Sequence, residues 1–185
     1  RIRAKPMLIA ANKIDVAGAE KNLERLRHAY PQYTIIPCSA EAEIALREAA
    51  KKGLISYVPG ASHFSILSSA TLSPAQRQAL EFIQNNILDV FGSTGLQQVL
   101  NAVVFDLLHY LAIFPGGVNH LVDSQGRCMP DCFLLPSGTT ALDFAYKIHQ
   151  DIGDKFVKAI NVKKKLPIGK DVALLHRDVV EIKTS

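Results

Sequence analysis

An apolar run from Met7 to Ala11 breaks abruptly into four residues of mixed character, Asn12-Lys13-Ile14-Asp15, and the hydrophobic period then changes. The run reads as a short buried strand. Ala19 to Tyr30 places Leu23, Leu26 and Ala29 on one side and charges on the other, which predicts a helix ended by Pro31. Tyr33 to Pro37 is β-branched and predicts a second buried strand. Cys38-Ser39-Ala40 opens a helix over Glu41 to Lys52, acidic in its first turn and basic in its last, with Gly53 at the C′ position. Strand, helix, strand, helix is half of a parallel α/β unit.

Residues 54–72 lack a period and read as a loop. Ser73-Pro74 is an N-cap with proline at N1, and the helix it starts runs to about Phe91 on a stripe of Leu80, Ile83, Ile87 and Phe91. Gly92 stops it, and Ser93 or Thr94 caps a helix over 95–109 whose apolar face is Leu96, Val99, Leu100, Val103 and Leu107. From Tyr110 the pattern becomes that of a second module. Tyr110–Phe114 and Cys132–Leu135 read as strands around a loop-like 118–130. Thr140-x-x-Asp143 has the form of a capping box for a helix over Ala141–Ile152. Phe156–Val162 and Val179–Lys183 read as further strands. The order β-β-α-β-β in about 75 residues suggests one helix across a β-grasp sheet. The expected division is residues 1–109 and 110–185.

Charge adds one feature. The net charge is +4, but residues 155–170 hold six lysines (Lys155, Lys158, Lys163, Lys164, Lys165, Lys170) and no acid, so the remainder is close to neutral. Such a run either contacts nucleic-acid phosphates or is a solvated turn. Three cysteines are not a disulfide framework, which favours a reducing, cytoplasmic setting. No apolar run approaches the ~20 residues that span a bilayer, so no membrane partner is expected. The chain begins Arg1-Ile2-Arg3 rather than with Met, as expected of a cut or disordered boundary.

The chemistry concentrates at the strand ends, where open α/β sheets bind ligands. Asp15 offers two coplanar acceptor oxygens, the complement of the N1–H and 2-amino donors of guanine. Lys13 has an apolar stem that can lie on a base with its ammonium beyond. Asn12 carries a donor and an acceptor and can tie the base to a neighbouring loop. Twenty-three residues after Asp15 the second strand ends in Cys38-Ser39-Ala40. An Asn-Lys-x-Asp motif beside a Ser-Ala motif resembles the base-reading pair of GTPases, in which the Ala N–H donates to guanine O6 and the Ser side chain holds the Asp. Two polar strand-end loops with no ligand are the plain alternative.

The other half of such a site is missing from the sequence. It has no G-x-x-x-x-G-K-[ST] phosphate loop, and Gly92-Ser93-Thr94-Gly95 lacks the lysine. Asp123-Ser124-Gln125-Gly126 spells a switch-like Asp-x-x-Gly in the wrong order and module, and reads as chance. Cys128 and Cys132 with His120 fall short of a zinc set, so no metal site is expected. His149 reads as a packing or capping residue, and no catalytic residue is assigned.

Three stretches together resemble the carboxyl-terminal part of an Obg/YchF-related GTPase of the archaeal and eukaryotic branch. They are Asn12–Asp15 with Pro37–Glu43; Phe91–Leu96 running into Asp106-Leu107-Leu108; and Leu135–His149 with Asp178–Ile182. The last resembles a TGS domain, a β-grasp module. The resemblance implies an α/β fold: the C-terminal part of a P-loop-type, Rossmann-like G domain with a helical connector, then the TGS domain. It implies a GTP-binding protein, a slow GTPase when intact, using GTP with Mg and associated with ribosomes and translation. It carries nucleotide-binding roles onto Asn12, Lys13, Asp15, Ser39 and Ala40. YchF proper often has Glu at the last position of the tetrad and accepts ATP; Asp15 favours GTP. RNA binding through Lys158, Lys163, Lys164, Lys165 and Lys170 is expected on the rival reading, a non-enzymatic RNA- or protein-docking module with a relic nucleotide motif.

Overall fold

The computed structural model describes residues 5–117 and 131–185. The chain divides into two compact units, one up to Leu107 and one from Leu108. The Asp123–Gly126 motif and the His120 and Cys128 positions lie outside the described residues.

In the first unit β1 (Ile9–Ala11) pairs in parallel with β2 (Ile35–Pro37), Ile9 facing Ile35 and Ala11 facing Pro37. Helix α1 (Ala19–Ala29) forms the crossover between them. Leu23 of α1, Ile35 of β2 and Ile14 of the tetrad form one small core, and Phe91 packs on it. Ala29, expected on the buried side of α1, is exposed. Helix α2 (Ala40–Lys51) starts at an N-cap made by Ser39. It ends as the sequence suggests, with Gly53 at φ 68° and paired bonds from Gly53 N to Ala50 O and from Leu54 N to Ala49 O.

The stretch expected to be a loop contains a two-stranded antiparallel hairpin, β3 (Ile55–Ser56) and β4 (Ser65–Ile66). Strands of two residues leave no measurable alternation. Helix α3 (Pro74–Ile83) begins at a full Ser73/Gln76 capping box with Pro74 in the first turn. It continues through a π-helical segment, Gln84–Leu88, into a final turn α4 (Asp89–Phe91). The wider π turn brings Leu88 into the core beside Ile87, which a strict 3.6-residue stripe does not anticipate. Helix α5 (Leu96–Asn101) also passes into a π segment, Ala102–Leu107. Its expected apolar face is not a core face in this unit: Leu100 is 54% exposed and only Ala102 is buried. Neither Ser93 nor Thr94 caps it. Gly95 occupies the N-cap at φ 83°, because both hydroxyls are engaged elsewhere.

The second unit is a five-stranded sheet in the order β6-β5-β9-β7-β8. β5 (Tyr110–Pro115) runs antiparallel to β6 (Phe133–Pro136) and parallel to β9 (Val179–Thr184). β9 pairs antiparallel with β7 (Phe156–Asn161), and β7 with β8 (Leu166–Ile168). β8 is missing from the sequence expectation, since Leu166-Pro167-Ile168 is short and carries a proline on an edge strand. Helix α6 (Ala141–Ile148) supplies Ala141 and Phe144 to the core with Ile113, Leu135, Ala159, Leu174 and Val180. Phe144 meets Phe133 edge-to-face, centroids 5.6 Å apart. The Thr140/Asp143 capping box forms in both directions. The expected single helix breaks at His149, whose Nδ1 accepts from Asp151 N and caps α7 (Gln150–Asp154). This is the β-grasp arrangement, one helix against a mixed sheet. Among the described residues no helix is long and apolar enough to cross a membrane.

Candidate functional site

The tetrad leaves the end of β1 and turns at once. Ile14 is the anchor: it is buried against Leu23 and Ile35, and its N–H donates to Cys38 O at 3.2 Å. Its neighbours are thereby left at the surface, with Asn12 and Lys13 exposed and Asp15 half-buried. Lys13 sits in the left-handed region at φ 68°, a conformation that costs a non-glycine residue about 1 kcal/mol.

The second loop lies directly alongside. Cys38 N donates to Ala11 O at 2.9 Å, extending the β1–β2 ladder past the strand ends. Ala40 N then donates to Asn12 Oδ1 at 3.1 Å. Together with the Ile14 N–Cys38 O bond, this contact across 28 residues ties the tetrad to the Cys38-Ser39-Ala40 loop. Ser39 is buried, and its Oγ accepts from Ala42 N at 3.3 Å as the cap of α2. Its hydroxyl proton remains available to donate. Asp15 and Ser39 line one cavity of about 540 Å³ with Glu41, Ala42 and residues of α3 such as Phe82 and Ile83. Asn12 and Lys13 line a different one, about 420 Å³, against α1. The five residues therefore meet around one pair of loops but do not share one cavity.

A third segment supports these loops from behind. Ser39 N donates to Thr94 O at 2.9 Å. Gly95 passes so close that a Cβ there would lie 2.0 Å from Pro37 O. Thr94 Oγ donates to Glu43 Oε2 at 2.6 Å, and that carboxylate also receives Tyr57 OH at 2.8 Å and Arg47 Nε at 2.7 Å. Glu43 is only 5% exposed. Burial pushes its carboxyl up, but the hydrogen bonds from Thr94, Arg47 and Tyr57, with the Arg47 charge, outweigh this and hold it below the usual range. The sequence places Glu43 among the acids of a first helical turn, with no sign that it is buried. Its i,i+4 spacing to Arg47 is the one local signal of a partner.

The two loops carry a carboxylate at Asp15, an apolar stem at Lys13, and at Ala40 a backbone N–H that donates to Asn12 Oδ1. Among the described residues no group of three or more His, Cys, Asp or Glu is placed to hold a metal. Cys38 is buried, which raises its thiol pKa, and Cys132 is exposed with its thiol also raised by partial burial.

In the second unit four of the lysines lie on the β7–β8 hairpin and Lys170 just after it. Lys158, Lys163, Lys164, Lys165 and Lys170 are all exposed. Two of the turn residues also serve structure. Lys163 Nζ donates to Arg177 O at 2.7 Å, and Lys164 N donates to Asn161 Oδ1 at 3.0 Å. Asn161 in turn donates to Asp178 at 2.8 Å, so this buried amide fixes the hairpin to the loop before β9.

Comparison with known proteins agrees with the geometry. Residues 10–117 match the Obg-like GTPase YGR210-like, G4 motif-containing domain, and residues 120–184 match the TGS domain. The chain is 42% identical over 180 residues to the uncharacterized GTP-binding protein MJ1332 of Methanocaldococcus jannaschii, covering 97% of this chain and 45% of that one. It is 31% identical over 144 residues to the uncharacterized GTP-binding protein C428.15 of Schizosaccharomyces pombe, covering 74% and 35%. A crystal structure of a GTP binding protein from Pyrococcus horikoshii OT3 superposes with a TM-score of 0.71 at 40% identity, covering 98% of this chain and 46% of that one. The chain thus spans about half the length of these similar proteins. Parallel strands ending in the tetrad and the Ser-Ala loop, followed by a β-grasp sheet, accord with that match, and the chain belongs to the Obg-like GTPase family, pairing the family's G4-motif domain with a TGS domain.

Proposed function

We propose that this chain is the base-recognition half of a guanine-nucleotide site. The observation that supports it is the Asn12–Ala40 hydrogen bond, which sets the tetrad and the Ser39-Ala40 loop side by side. In this reading Asp15 accepts from N1–H and the 2-amino group of guanine, which adenine cannot supply. Lys13 covers one face of the base. Ala40 N–H, which donates to Asn12 Oδ1, is shared with O6 as a bifurcated bond, so Asn12 keeps the two loops in register. Ser39 caps α2 and donates its hydroxyl proton to Asp15, orienting the carboxylate. None of these residues activates water or grips phosphate, so the chain selects the nucleotide and does not cleave it. In the intact protein the outcome is slow GTP hydrolysis with Mg, in the cytoplasm and in association with ribosomes. Titration of GTP and Mg into residues 1–185 by calorimetry tests the division of labour: binding weaker than micromolar is expected, and sub-micromolar affinity overturns it.

A second reading has its own support in the exposed lysines on and just after one hairpin. On it the β-grasp unit docks on RNA phosphates through Lys158, Lys163, Lys164, Lys165 and Lys170. The two readings are compatible if the TGS domain delivers a nucleotide-controlled protein to RNA.

A further inference from the structure

We propose that Thr94, held by Glu43, is a positioning residue for base selection and sets how strictly O6 of the purine is read. This rests on the guanine-site reading above and adds residues that touch no nucleotide atom in it.

A closed ring of bonds backs the Ser-Ala loop. Glu43 N donates to Ser39 O at 3.2 Å in the first turn of α2. The Glu43 side chain, one turn along, receives Thr94 Oγ at 2.6 Å. Thr94 O then receives Ser39 N at 2.9 Å, closing the ring. Ser39 is thus held through its N–H and its C=O by two residues that are bonded to each other. The peptide that carries Ala40 N–H is attached directly to Ser39, so the ring fixes the direction in which that N–H points. Thr94 is 1% exposed and Glu43 5%, so no water competes for these bonds.

The ring is asymmetric in a useful way. Asp15 belongs to the other loop and is anchored by Ile14 in a separate core. The Ser39 hydroxyl that orients Asp15 is held by its own bond from Ala42 N at 3.3 Å, so loosening Thr94 disturbs the O6 reader through the Ser39 backbone and leaves the reader of N1–H and the 2-amino group in place. Arg47 bonds the other oxygen of Glu43, Oε1, at 2.7 Å, so it is the control for loss of a hydrogen bond to the same carboxylate.

The test uses three nucleotides on the full-length protein. 6-Thio-GTP keeps N1–H and the 2-amino group but replaces O6 by sulfur, a weaker acceptor. ITP keeps O6 and N1–H but lacks the 2-amino group. Thr94→Val removes the hydroxyl at constant shape. It is expected to shrink the GTP over 6-thio-GTP preference about fivefold, the order of one neutral hydrogen bond, while the GTP over ITP preference stays as in wild type. Thr94→Ser restores the first ratio, and Arg47→Met leaves both unchanged. Affinities for all three nucleotides that fall together, or do not change, overturn the inference and leave the guanine site standing. A wild-type protein that does not prefer GTP to ITP overturns the guanine site and the inference with it. If Thr94→Val does not fold, Glu43→Gln carries the same expected shift and the same contrary result.

Discussion

The backbone N–H of Ala40 donates to Oδ1 of Asn12 at 3.1 Å, joining the ends of two neighbouring parallel strands. Both residues are open to solvent to some degree, so water can replace the bond when it is lost. Asn12→Ala is therefore expected to change stability by less than about 1 kcal/mol. The register of the two loops is a different matter. In the full-length protein the same substitution is expected to weaken GTP binding about tenfold, roughly one hydrogen bond's worth of lost pre-organisation. Chemical denaturation beside nucleotide titration separates the two effects; a stability loss that matches the affinity loss would make Asn12 a purely structural residue.

Glu43 gives the fold a pH dependence of known sign. Its carboxyl in the folded state lies below the usual value, so the folded state favours the ionised form. That contribution is fully present above the unfolded-state pKa, and is lost as pH falls through the lowered folded value. Stability of the first unit should therefore fall on acidification below the ordinary carboxylate range. Glu43→Gln should show a shallower acid loss and lower stability at neutral pH. Denaturation midpoints from neutral to acid pH check this, and parallel curves for the two proteins would remove Glu43 as the source.

Docking on RNA through the β7–β8 hairpin requires affinity that falls steeply with salt. Lys164→Ala with Lys165→Ala is expected to lower that slope by about two charges' worth. Lys163 is left intact in this variant because its ammonium also holds Arg177 O. Binding to RNA that ignores salt, or salt dependence unchanged in the double variant, removes the hairpin as the contact.

Much of this arrangement is legible in the sequence because it is local. The Gly53 stop, the Ser73 N-cap and the Thr140 capping box each depend on residues a few positions apart, and each forms. The parallel pairing of β1 with β2 follows from the strand–helix–strand order. What escapes is decided at long range. Thr94 looks like a helix cap, but Glu43, 51 residues away, takes its hydroxyl. The apolar stripe of α5 has the right period yet Leu100 stays exposed, since periodicity shows that a face is apolar and not that anything covers it. The two π segments shift the register of helices whose start and end were otherwise readable.

Asp15 is the reader of guanine in the proposed site, and nucleotide competition in the full-length protein with Asp15→Asn tests that role most directly. An amide presents a donor where guanine also donates, whereas xanthine has a carbonyl at that position. Losing a charge-assisted bond costs roughly 1.5–3 kcal/mol. The expected result is a GTP affinity lowered by that amount, with XTP now preferred over GTP. Discrimination between GTP and XTP that is the same in the variant as in wild type would contradict the assignment of Asp15, and with it the reading of this chain as a guanine-recognition half.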